Sequence, residues 1–159
     1  MNNLKDAALD FLAQKRIAVA GVSRQGDLPA NLIYRKLRET GHDVFAVNPN
    51  ADRVEGDVSY PDLAAIPIRV DAAVIATPPQ VTLRLVQQCG NLGIRRVWIH
   101  RSFGRGSLDD SALSLCRQLG LSVIPGSCPM MFCEPVDLGH RCMRWFLRVS
   151  RGLPEAEGY

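Results

Sequence analysis

Ile17-Ala18-Val19-Ala20-Gly21-Val22-Ser23-Arg24 opens on four apolar residues without alternation and then breaks at a glycine. An unalternating run of this length fits a strand buried on both faces of a parallel sheet. Within Ala30–Thr40 the apolar positions 30, 33, 34 and 37 carry helical spacing, Gly41 follows, and a second β-branched run comes at Val44–Val47. Strand, helix, glycine, strand is the grammar of a βαβ unit, whose right-handed crossover makes its two strands parallel.

The same order recurs along the chain. Strand-like runs lie at Ala72–Ala76, Arg96–Ile99 and Leu121–Ile124, separated by amphipathic stretches at Val81–Cys89 and Ser111–Leu119, with Gly93 and Gly120 just before the last two strands. Further helical patterns at Leu4–Ala13 and Val136–Val149 are expected to cover the sheet. The expectation is an α/β fold: a Rossmann-like doubly wound parallel sheet of about five strands. It forms a single domain over residues 1–159 with flanking N- and C-terminal helices, and residues 152–159 read as a flexible tail.

Composition narrows the function classes. Nineteen basic against sixteen acidic residues leave a formal charge of +3, too small to argue for nucleic acid without a local cluster. The five cysteines, at 89, 116, 128, 133 and 142, are odd in number, and the chain opens on polar Met1-Asn2-Asn3, so reduced thiols in a cytoplasm are expected. The apolar runs have strand length and cannot span a bilayer.

In an open parallel sheet ligands bind beyond the carboxyl ends of the strands, so the strand exits carry the candidate chemistry. At the first exit, Gly21 lets backbone approach a phosphate while Ser23 and Arg24 offer donors; the alternative is a tight turn with a solvated arginine. Neither G-x-G-x-x-G nor the P-loop signature is present. At the second, Val47-Asn48-Pro49 lacks the acid that dinucleotide enzymes place on a ribose, and Arg53 stands five residues on; an Asx-Pro turn would also explain it. At the third, Thr77 suits a helix cap, and Pro78 with Pro79 makes a flat apolar wall for an adenine or a pantetheine arm.

At Gly21-Val22-Ser23, Val47-Asn48-Pro49, Val54-x-Gly56, Tyr60-x-x-Leu63, Ile66-Pro67, Val70-Asp71 and Val97-Trp98 the chain resembles the stand-alone CoA-binding domain family. That family is similar to the N-terminal CoA-binding domain of the succinyl-CoA synthetase alpha subunit. The resemblance covers about residues 10–130 and implies CoA or acyl-CoA as ligand. It implies the Gly21-Val22-Ser23-Arg24 exit near the pyrophosphate, Val47, Asn48 and Pro49 near the adenosine, and Thr77, Pro78 and Pro79 on its other side. Arg53 is matched by position to the 3′-phosphate. Where family members commonly read Trp-x-Gln-x-Gly and Asp-Arg-Cys, this chain has Trp98-Ile99-His100-Arg101-Ser102 and Gly126-Ser127-Cys128, which keeps Cys128 as a candidate beside the ligand.

The resulting expectation is a CoA or acyl-CoA binding protein acting as a non-catalytic carrier, sensor or regulatory module. An NADP-dependent oxidoreductase is the first alternative. The second is an interaction protein that uses the basic helical face of Arg141, Arg144, Arg148 and Arg151, where no aromatic residue is interleaved for stacking on bases. His100, Arg101, Ser102 and Cys128 follow adjacent strands and read as ligand lining rather than catalytic groups. Cys128, Cys133, His140 and Cys142 lack the close C-x-x-C pair of a zinc site, so no metal is expected. Cys142 falls in the apolar stripe Leu138, Cys142, Trp145, Phe146 and Val149, which is expected to face the core.

Overall fold

A computed structural model describes residues 4–102, 104–150 and 155–158. Every strand-like run of the sequence becomes a strand: β1 (Arg16–Ala20), β2 (Asp43–Val47), β5 (Ala72–Ile75), β6 (Arg96–Ile99) and β7 (Ser122–Pro125). The helices are α1 (Leu4–Leu12), α2 (Pro29–Glu39), α3 (Pro79–Leu92), α4 (Asp110–Gln118) and α5 (Leu138–Val149). Two strands exceed the expected five. They are β3 (Arg53–Val54) and β4 (Asp57–Tyr60), joined by a turn in which Glu55 and Gly56 both hold positive φ, as the tightest hairpins require.

The sheet order is β3-β4-β2-β1-β5-β6-β7, and all pairs are parallel except β3 with β4. The chain therefore winds outward from β1 to β2 and β4, returns, and winds the other way through β5, β6 and β7. The direction reverses between β1 and β5, whose residues pair Ile17 to Ala72 through Ala20 to Ile75. Four consecutive buried residues in β5 and four in β1 are what a strand covered on both faces demands.

One core lies beneath α1, α2 and α5, the other beneath α3 and α4. Trp98 anchors the first: Phe11 meets it edge-on at 5.2 Å, Phe132 at 5.9 Å, and its indole N–H donates to the Gly126 carbonyl at 3.1 Å. The β3–β4 hairpin is tied to α2 by Asp57, which accepts from the Tyr34 hydroxyl (2.9 Å) and from Arg38 (2.7 Å). Burial, reinforced by that carboxylate, raises the Tyr34 hydroxyl well above the ordinary phenol range.

Two expectations are corrected. The stripe of α5 expected in the core faces outward, with Leu138 74%, Trp145 66%, Phe146 57% and Val149 63% exposed. Met143 and Leu147 pack inward instead, and Arg144 pins that face by donating to the Met131 carbonyl (2.8 Å) and lying over the Phe132 ring (5.7 Å). The tail read as flexible is docked where it is described: Glu157 exchanges backbone hydrogen bonds with Val123 on the edge of β7 and its carboxylate accepts from Arg117. Arg151, residues 152–154 and Tyr159 lie outside the described residues.

Gly21 has φ +104°, and a Cβ there would stand 2.8 Å from the Ala76 carbonyl carbon and closer still to its oxygen. Gly21→Ala is accordingly expected to cost about 3 kcal/mol from backbone strain and overpacking. Urea unfolding measures it, and wild-type stability in the variant would show that the two strand exits are not held this close.

Candidate functional site

Beyond β1, β2 and β5, at the point where the winding reverses, the structure opens a crevice of about 320 Å³. This is the position at which open α/β sheets receive ligands. Gly21 and Val47 form its floor, Asn48 and Pro49 one wall, and Thr77 and Pro78 the other. Six of the residues singled out in the sequence are thus brought together.

Side-chain bonds lock the exits. Asn31, fully buried inside α2, accepts from the Ser23 amide (3.0 Å) and donates to the Ser23 carbonyl (2.7 Å) and to Glu55 (2.6 Å). Arg35 joins the same carboxylate (2.9 Å) to the Gly26 carbonyl (2.7 Å). Asn48 donates to the Val22 carbonyl (2.8 Å) and accepts from the Asn50 amide (2.8 Å), so its amide braces the second exit against the first. Arg24 crosses the same gap, its guanidinium donating to the Asn50 carbonyl. That sets an exposed positive charge beside the crevice at Asn50, on a neutral acceptor that an anion would outcompete.

Other expected residues lie elsewhere. Val22 is core beneath α1 and α2, and Pro79 starts α3 outside the lining. Arg53 donates to the Gly56 carbonyl (2.6 Å) within its own hairpin and does not line the crevice. Cys128 is 2% exposed and packs in the core on the other face of the sheet; burial pushes its thiol up to about 11, so little thiolate is present near neutrality. The expectation that it borders the ligand is not met by this geometry.

The exits of β6 and β7 do converge. His100 Nε2 lies 3.1 Å from the Ser102 hydroxyl, which also hydrogen-bonds the Cys128 thiol, while the Arg101 amide donates to the Ser127 carbonyl. Burial first, and the nearby charge of His140 second, hold the His100 pKa down at about 4, so the ring is neutral near pH 7. Among the described residues no group of three or more His, Cys, Asp or Glu side chains is placed to hold a metal ion, and Cys142 is exposed.

Sequence reasoning passed over the fourth side of the crevice. Arg84 and Gln88, one turn apart on α3, line it together with Val81 and Leu85, and Gln88 accepts from the Leu63 amide (3.1 Å). Their i, i+4 spacing was the available signal. The Thr77 hydroxyl, at the wall, is buried without a hydrogen-bond partner among the described residues. An orphaned hydroxyl costs free energy until something meets it.

Comparison with known proteins places this geometry in context. A family model described as CoA binding domain matches residues 15–134. The ADP-forming acetate–CoA ligase II of Archaeoglobus fulgidus is 34% identical over 88 residues, 54% of this chain and 13% of that protein. A hypothetical protein from Pyrococcus horikoshii superposes with a TM-score of 0.76 at 26% identity, covering 84% of this chain and 92% of the other. The dinucleotide-forming acetyl-coenzyme A synthetase 1 of Ca. Korarchaeum cryptofilum, solved with phosphate and ADP, gives a TM-score of 0.62 at 28% identity over 78% of this chain and 27% of its own. The chain spans less than a third of the length of the curated relatives it matches.

The buried neutral histidine carries a pH signature. The folded-state pKa of about 4 lies below the unfolded value of about 6.5, so its contribution is fully present above pH 6.5 and is lost as pH falls through 4. The loss is on the order of 3 kcal/mol. Urea unfolding across pH 7 to 4 should show this slope flattened in His100→Gln, and an unchanged slope in the variant would contradict the assignment.

Proposed function

The chain belongs to the CoA binding domain family, and on that footing we propose that the crevice holds the nucleotide half of CoA or an acyl-CoA. The observation that carries the reading is the crevice at the winding reversal, with the unmet Thr77 hydroxyl in its wall. Apolar Pro78, Val81 and Leu85 suit the face of an adenine. Arg24 on the rim suits the pyrophosphate, since a charge-assisted bond to phosphate replaces one to a carbonyl. Arg84, exposed on α3, takes the part that the sequence reading gave to Arg53, meeting the phosphate on the ribose.

The protein acts, on this reading, as a non-catalytic carrier, sensor or regulatory module. Neither Cys128, packed in the core, nor His100, buried and neutral, lines the crevice, which supports holding a ligand there rather than attacking it. Five free thiols suit a reducing cytoplasm. An NADP oxidoreductase needs two nucleoside pockets and a close pyrophosphate loop, whereas Ser23 stands where the second glycine would allow that approach.

Calorimetry at fixed salt is expected to give CoA at least tenfold tighter than NADP, about 1.4 kcal/mol. Arg24→Ala should weaken CoA by about 1–3 kcal/mol. NADP binding as tight as CoA, or hydride transfer to a test substrate, would favour the oxidoreductase. An unchanged CoA affinity in Arg24→Ala would remove that arginine from the pyrophosphate.

A further inference from the structure

We propose that the outer face of α5 docks an amphipathic helix of a partner protein that carries carboxylates along one flank. The inference is independent of the CoA reading. It starts from the five residues Leu138, Cys142, Trp145, Phe146 and Val149, which form one exposed apolar stripe on a helix lying beyond the 15–134 span of the family match. The stripe presents on the order of 500 Å² of surface, the size of a functional patch and more than half of the ~800 Å² per partner in a standard interface. Trp145 and Phe146 at its centre are the residue types that anchor such interfaces.

Charge selects the occupant. At 100° per residue, Arg141 and Arg148 fall together along one side of the stripe, while the opposite side has Gly139, Met143 and Ser150 and no charge. Both arginines are exposed. An antiparallel two-fold pair with a second copy would lay Arg141 against the Arg148 of that copy, and a parallel pair would leave both without a carboxylate. A helix lying in a lipid surface carries its basic residues along the polar face opposite the apolar one. Here the opposite face packs Met143 and Leu147 onto the domain. A one-sided row of guanidinium groups beside an apolar stripe matches an apolar helix with a one-sided row of Asp or Glu.

Trp145 reports occupancy by itself, because Trp98 is fully buried and the chain has two tryptophans. The probe is a synthetic amphipathic helix with leucines on one face and glutamates on one flank, and its twin has lysines in place of the glutamates. The acidic peptide should shift Trp145 emission to the blue and shield it from acrylamide. Arg141→Glu with Arg148→Glu should weaken that binding at least tenfold without moving the melting temperature. Equal binding of the lysine twin, shielding by phosphatidylserine vesicles instead of the peptide, shielding that grows with protein concentration alone, or no shielding by any probe would each overturn the proposal.

Discussion

The closeness of two strand ends governs the rest of the molecule. Gly21 lies against the Ala76 backbone where β1 and β5 leave the sheet, and only a residue without a Cβ fits there. Because the winding reverses between these same strands, the chain leaves each of them in opposite directions and the crevice opens above the gap. The location of the candidate site is thus a consequence of topology, and one glycine lets the two strand exits lie this close.

Around that gap the exits are fixed before any ligand arrives. Asn31 holds Ser23 by both its amide and its carbonyl, Asn48 ties the second exit to Val22, and Glu55 receives Asn31 and Arg35 from the hairpin side. A site built this way loses little conformational freedom on binding, which lowers the cost of association. The residual adaptability sits in exposed Arg24 and Arg84 on the rim. At the separate exits of β6 and β7, the His100 ring is neutral and the Cys128 thiol protonated.

What could be read in the sequence follows from which physical signals are local. Unalternating apolar runs fixed β1, β5 and β6 because a strand covered on both faces has no other pattern. The β3–β4 hairpin escaped, being two and four residues of mixed polarity stabilised by Asp57 and Glu55 from α2 partners distant in sequence. Gly21, Val47, Asn48, Pro49, Thr77 and Pro78 were legible because strand exits follow from strands. Arg84 and Gln88 were passed over, since their i, i+4 spacing marks one helix face without saying what that face meets. Arg53 turned back onto its own hairpin, and Cys128 turned into the core after Ser127, which holds φ +62°. In α5 the periodicity gave an apolar stripe correctly, but Met143 and Leu147 offered a second apolar face, and the stacking of Arg144 on Phe132 chose it.

A crystal structure of the protein grown with CoA would test the account of the crevice. The adenosine is expected between Asn48–Pro49 and Thr77–Pro78, with a ligand polar atom on the Thr77 hydroxyl and Arg24 swung from the Asn50 carbonyl to the pyrophosphate. A nucleotide bound away from the β1–β5 exits, or a crevice that stays empty at saturating CoA, would contradict it.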